Sequence, residues 1–295
     1  MRLSVAPLLR YKASAMPHIA LVRLKGIPTM GETLIIPGIV DSAELFLSAY
    51  PQYADYDVAL LDPVCEQDID MGLAYVDNDA CVSVIALVGQ FINGLERIDP
   101  DRATLVVPSV CEGCRSANPL PVLRAALRHA GWMSRVTLKP VTLRELGFAE
   151  QLNDRDETAH FEDSNNDGLR IGVCGPVSML VADYFTSAIR GRILDSGCGF
   201  VPVPIGLLMG ADDVMIPSLE YFRGCGVTTV ICLIPFGCLQ GNVHARGFMR
   251  ELRRRYPDID LTVLDYDPSA SDVNVVNRVE LVVQSALERQ MERGE

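Results

Sequence analysis

Seven short apolar runs recur along the chain, most of them followed by a longer amphipathic stretch. The runs are HIALVRL (18–24), DVALLD (57–62), ATLVVPS (103–109), RVTLKPV (135–141), LRIGVCG (169–175), TTVICLI (228–234) and LTVLDY (261–266). Segments with helical periodicity lie at roughly 39–50, 80–97, 120–131, 177–189, 212–223, 243–256 and 272–291. Strands buried on both faces read as continuous apolar runs, and strands separated by helix-length segments pair in parallel through crossover helices. The pattern predicts an α/β protein of doubly wound, flavodoxin- or Rossmann-like parallel sheets.

A chain of 295 residues is long for one core. The stretch QLNDRDETAHFEDSNNDG (151–168) is polar, acidic and without periodicity, and reads as a linker. The expected organisation is therefore two α/β domains, 1–155 and 165–295, with a cleft between them.

Charge and hydropathy narrow the partners. The formal net charge is −12, which disfavours nucleic acid because phosphate binding needs a basic footprint. No apolar run reaches membrane-spanning length. The opening MRLSVAPLLRYKASAM is broken by Arg10, Tyr11 and Lys12 and reads as a non-cleaved arm, so a cytoplasmic protein is expected.

Nine cysteines punctuate this framework, at 65, 81, 111, 114, 174, 198, 225, 232 and 238. Their odd number and the expected reducing compartment argue against a disulfide framework. In open α/β sheets, ligands collect beyond the carboxyl ends of the strands. Four cysteines fall there. Cys81 opens the helix at 80–97, with Asn78 or Asp79 as the expected N-cap. Cys111 and Cys114 lie in the loop after strand 103–109, and Cys238 lies in the loop IPFGCLQGN after strand 228–234. Cys174, Cys198, Cys225 and Cys232 read as small apolar residues. A helix N-terminus favours a thiolate, the form that binds metal. A single C-x-x-C pair is compatible with a metal or cluster site, a zinc site, a redox pair or ordinary reduced thiols, and spacing alone leaves these open.

Three stretches carry a further resemblance. GLAYVDNDACVSVIALVGQFINGL, CEGCRSANPLPVLRAALRHAG, and GVTTVICLIPFGCLQGNVHARGFMRELRRRYPDIDLTVLDYDPSASDVNVVNRVEL resemble, in that order, the C-terminal iron-sulfur region of the large activases of 2-hydroxyacyl-CoA dehydratases. That region is similar to the iron-sulfur subunits of the dehydratases themselves. The resemblance covers most of 60–150 and 168–291.

It implies an iron-sulfur protein of anaerobic metabolism, with a 4Fe-4S or double-cubane cluster ligated by Cys81, Cys114 and Cys238 between the domains. Asp79 and Asn118 lie beside the ligands in the matched stretches and are candidates to orient the site. The family pattern usually has glycine at position 111. If Cys111 ligates, a lone cluster is closed and suited to electron transfer; if it does not, one iron stays open. Two further departures are the residues after Cys81, where the family often has an aromatic and a proline, and Asn242, where it often has histidine.

The glycine-rich phosphate loops of the activases' ATPase module are missing before residue 60, so the resemblance implies a separate ATP-hydrolysing activator of the actin-like class as partner. It also implies a homodimer. Two alternatives stand beside low-potential electron transfer. One is a dehydratase-like subunit acting on a 2-hydroxyacyl-CoA at an open iron. The other is a non-catalytic α/β partner module with reduced or zinc-bound cysteines.

The remaining polar features have plainer readings. His18, His129, His160 and His244 are scattered and read as structural. GVCGPVSML (172–180) reads as an ordinary strand–helix turn, RELRRRYP (250–257) as a solvated basic face, and Asp265, Asp267 and Asp272 as turn residues.

Overall fold

The computed structural model describes residues 20–22, 32–38, 50–53, 56–109, 118–142, 168–180, 182, 184–208, 213–239, 241–267 and 272–293. The chain is α/β, with two parallel sheets. The first contains β1 (Ala20–Val22), β2 (Glu32–Ile36), β3 (Asp57–Leu60), β4 (Arg102–Ser109) and β5 (Val136–Thr142), in the order β1-β3-β2-β4-β5. The second contains β6 (Arg170–Cys174), β7 (Gly199–Pro202), β8 (Thr229–Pro235) and β9 (Asp260–Tyr266), in the order β7-β6-β8-β9.

The parallel strands wind identically in the two sheets. In each, the second strand lies to one side of the first, and the third and fourth lie to the other. The order therefore reverses between β2 and β4 and again between β6 and β8. Such switch points are where adjacent loops part and leave a crevice.

One strand departs from expectation. The run at 18–24 is described over Ala20–Val22 and pairs antiparallel with β3, as the edge of an otherwise parallel sheet.

The helices among the described residues are α1 (Glu66–Leu73), α2 (Val82–Ile98), α3 (Leu120–His129), α4 (Val177–Leu180), α5 (Tyr184–Asp195), α6 (Ile205–Leu208), α7 (Met215–Gly224), α8 (Met249–Arg255) and α9 (Asp272–Arg293). Two expected helices are each split. The segment 177–189 divides into α4 and α5. The segment 243–256 divides into a π-helical turn, Gly241–Gly247, and α8, with glycine at both ends of the wide turn. Gly has a poor helix propensity, and π turns concentrate near functional sites. Helix 39–50 and the acidic linker fall, apart from Tyr50 and Gly168, outside the described residues.

Packing follows the apolar pattern. On the first sheet, Ile35, Ala59, Leu105 and Val107 pack with Val88, Phe91 and Leu95 of α2 and Leu123 and Leu127 of α3. On the second, Ile171, Val173, Ile231, Leu233 and Leu264 pack with Ile189 and Ile193 of α5 and Val279 and Val283 of α9. The opposite faces of both sheets belong to one further cluster, in which Leu34, Ile36, Val58 and Val106 join Cys174, Val230, Cys232 and Phe222. A smaller cluster also joins the two halves. Val64, Ile69, Val82 and Ala86 of the first pack with Met179, Ala182, Phe185 and Tyr266 of the second. Each fully buried aliphatic side chain contributes about 1.5–3 kcal/mol, so these seams are substantial.

Candidate functional site

The position of Cys81 is set by the α1–α2 hairpin. Cys65 caps α1. Its N–H donates to Oδ2 of Asp68 at 3.1 Å, its thiol lies 3.4 Å from the same oxygen, and Asn93 of α2 donates to Oδ1 at 2.8 Å. Asp68 is thus buried but fully engaged. Burial, with the Asp68 charge behind it, pushes the Cys65 thiol above its ordinary value. Gly89 of α2 lies so close to the Asp68 carbonyl that a Cβ would collide with it, so the two backbones meet directly.

The apolar run VSVIALVGQFINGL continues α2 without a break until Asp99 adopts φ 43° in the left-handed region and Pro100 follows. At its start, Cys81 itself is the N-cap, with φ −60° and ψ 131°. This corrects the expectation for Asn78 or Asp79: both are exposed in the preceding turn, and no side chain caps the helix. Cys81 is half-buried, and its sulfur lies 3.1 Å from the Ser83 hydroxyl. The free N–H groups of the first turn and the helix dipole favour negative charge here.

Cys238 sits at the end of β8. Gly237, at φ +71°, turns the chain, and Cys238 N–H donates to the Pro235 carbonyl at 3.0 Å. The residue is 4% exposed. The following π turn is tied to it: Gly241 N–H donates to the Cys238 sulfur at 3.2 Å, and Asn242 donates its amide to the Cys238 carbonyl at 2.8 Å. A backbone N–H aimed at sulfur suits a thiolate, and such bonds tune metal–sulfur centres.

These two loops meet. A Cβ on Gly237 would stand 2.8 Å from the main-chain oxygen of Asp79, two residues before Cys81. The contact belongs to the Asp79 backbone; its exposed side chain is not needed for it.

The third element is the turn after β6. Cys174 ends that strand, and Gly175 packs against the Leu233 carbonyl of β8. Val177 lies in the cluster that contains Cys238, and Met179 lies in the cluster that contains Val82. Ser178 stands between them. Its hydroxyl is buried and has no hydrogen-bond partner.

The remaining expected residues separate into groups. Cys111 and Cys114 lie outside the described residues. Asn118 is exposed just ahead of α3, which Pro119 caps. Among the described residues, no three His, Cys, Asp or Glu side chains are grouped to hold a metal ion, so a third ligand beside Cys81 and Cys238 would come from outside them.

Cys174 and Cys232 face each other in register across β6 and β8, both buried. Their mutual hydrogen bond, and then burial, hold the Cys232 thiol well above its ordinary pKa. Cys198 is likewise pushed up by burial. Asp265 pairs with Arg246 and Arg278, and Arg254 and Arg255 of α8 pair with Glu251 and Glu220, all at the surface. His129 packs edge-on against Tyr75.

A groove of about 800 Å³ opens at the other end of the second sheet, at the N-terminal ends of β6, β8 and β9. Arg289 there is paired with Asp260, and Arg253 lies over the Leu261 carbonyl. Arginines beside the C-terminal ends of α7, α8 and α9 are where helix dipoles favour cations. The groove lies at the opposite strand ends from the Cys238 loop.

Among the described residues, two of the expected cysteines, Cys81 and Cys238, lie on loops that pack together. A helix N-terminus lies behind the first, and a backbone N–H donates to the sulfur of the second. In comparisons with known proteins, no family model and no curated sequence matches the chain. Among the described residues, no helix is long and apolar enough to cross a membrane.

Proposed function

We propose that the chain holds an iron-sulfur cluster, of the 4Fe-4S or double-cubane type, and passes on low-potential electrons supplied by a separate ATP-hydrolysing activator. Cys81 and Cys238 are the ligands from the two halves, and the Cys111–Cys114 loop completes the set. The observation that carries the reading is the packing of Gly237 on the Asp79 backbone, which brings the Cys238 loop against the turn that leads to Cys81. The resemblance of the three cysteine stretches to the 2-hydroxyacyl-CoA dehydratase and activase superfamily supplies the cluster type and the activator.

When bound, the cluster supplies one-electron chemistry. The chain does the rest. The α2 N-terminus and the Gly241 N–H stabilise negative charge on the two thiolates. Val82, Met179 and Phe185 close the seam with apolar side chains and keep bulk water out.

Anaerobic reconstitution followed by iron, sulfide and zinc analysis tests this. Wild-type protein is expected to carry iron and acid-labile sulfide. Cys81→Ser and Cys238→Ser are expected to lose most of it, while Cys198→Ser, buried beside β7, keeps it. A colourless wild type, or one loaded only with zinc, overturns the reading in favour of a non-catalytic module.

A further inference from the structure

We infer that Cys174, Cys232 and Met215 form a separate three-sulfur site for a soft monovalent cation of the copper(I) class. The cluster reading above uses none of these residues, and the inference does not rest on it. It starts from the strand register. Cys174 and Cys232 are Cα partners in the parallel ladder of β6 and β8. Partners on neighbouring strands point to the same face of the sheet, about 5 Å apart. Here both side chains enter one apolar cluster, and the two thiols are hydrogen-bonded to each other. The third sulfur comes from the first residue of α7: Sδ of Met215 lies 3.4 Å from the Cys232 sulfur. All three residues are at most 1% exposed. Because the third donor is a thioether, no grouping of His, Cys, Asp and Glu side chains alone reveals the site among the described residues.

The donor set selects the metal. With metal–sulfur bonds of about 2.3 Å, three sulfurs around one ion stand about 4 Å apart, so little movement is needed here. Thiolate and thioether without oxygen or nitrogen suit copper(I), whereas structural zinc takes four ligands and hard cations take oxygen. Binding exchanges protons for metal. Two S–H bonds break, two metal–thiolate bonds form, the thioether donates a lone pair, and two protons leave with no change of oxidation state. The single negative charge that remains lies close to the N-terminus of α7, where a helix dipole favours it. The link to solvent runs through Asp213. Met215 N–H donates to Asp213 Oδ1 at 2.8 Å, and the Asp213 charge is felt at Cys232. Asp213 and His244 stand 3.8 Å apart, 29% and 28% exposed. A carboxylate there draws a cation toward the thiols. The place is also apt, because β6 and β8 flank the point where the second sheet reverses its order.

The test uses the full chain, reduced and anaerobic, in a Cys111→Ser, Cys114→Ser background that removes the C-x-x-C pair as a competing ligand. Copper(I) is delivered as a complex with a coloured chelator, and uptake is read from the loss of the chelator's absorbance. X-ray absorption at the copper edge then counts the sulfur neighbours. The background is expected to hold copper(I) on three sulfurs and to melt at a higher temperature when loaded. Cys232→Ala is expected to bind at least about a hundredfold more weakly, and Met215→Leu, which conserves volume, about tenfold more weakly with two sulfurs left. Cys198→Ala, whose thiol is buried in the other cluster of the second sheet, is expected to match the background. A background that takes up no copper(I) overturns the inference, and so does either site variant that holds it as tightly as the background. Where Cys232→Ala fails to fold, Met215→Leu decides. Iron loading at Cys81 and Cys238 is a separate measurement, so the cluster reading stands or falls independently.

Discussion

Gly237→Ala probes the loop contact on which the site depends. Two separate effects make alanine costly there. The first is conformational: at φ +71° an L-residue is strained by about 1 kcal/mol or somewhat more. The second is steric: the new methyl would lie 2.8 Å from the Asp79 carbonyl oxygen, a main-chain atom that cannot rotate away. Overpacking of this kind costs about 1–3 kcal/mol.

Gly226→Ala separates the two effects. Gly226 follows α7 with the same φ of +71°, and a Cβ added there would meet nothing within 4 Å. The loss of unfolded-state freedom, worth about 0.4–1 kcal/mol in favour of alanine, is common to both variants and cancels. Urea unfolding followed by circular dichroism is therefore expected to place Gly237→Ala about 1–3 kcal/mol below Gly226→Ala. Gly237→Ala should also lose iron on anaerobic reconstitution, and Gly226→Ala should not. Equal midpoints for the two variants, together with equal iron, would refute the claim that the two cysteine loops are held in contact.

Three further outcomes follow from the described geometry. With a bulky maleimide and mass mapping of the native apo protein, half-buried Cys81 and Cys225 are expected to label well before the buried Cys174, Cys198 and Cys232, the last two of which are also held protonated. Asp68→Ala strips the N-cap bond from Cys65 and leaves Asn93 short of an acceptor, so it is expected to cost about 1–3 kcal/mol in the same urea assay. Burial, and then its hydrogen bond to Glu220, push Tyr256 from 10.0 up to about 12. Above pH 10 the unfolded chain releases that proton while the folded one keeps it, so stability falls as pH rises toward 12; Tyr256→Phe is expected to flatten this decline in urea midpoints measured across that window.

The strands with continuous or near-continuous apolar runs were legible, and so was the parallel winding they impose. What escaped was short or locally ambiguous. β2, ETLII, follows a stretch rich in glycine and proline, and β7 is only GFVP, so neither carries a period of its own. Both are strands because neighbouring strands complete their ladders. α1, EQDIDMGL, buries only Asp68, Ile69 and Gly72, and its acids read as loop until the α1–α2 packing is seen.

At the site, the strand-end logic found the Cys238 loop and the helix opening at Cys81. The N-cap was misread because Asn78 and Asp79 have the better intrinsic preference, whereas the turn before α2 places the thiol residue in that role. Ser178 was invisible in the sequence. GVCGPVSML looks like any strand–helix turn, and an unpaired hydroxyl is a property of what surrounds it.

The identical winding of the two sheets gives the cysteines a common address. In each half the third parallel strand leads into a thiol: β8 into Cys238, and β4 into the segment that carries Cys111 and Cys114. The crossover between the second and third strands also carries a thiol in each half, but at opposite helix ends: Cys81 opens α2, whereas Cys225 closes α7. The two crossover thiols therefore face opposite ends of their sheets, and only that of the first half shares an end with the Cys238 loop.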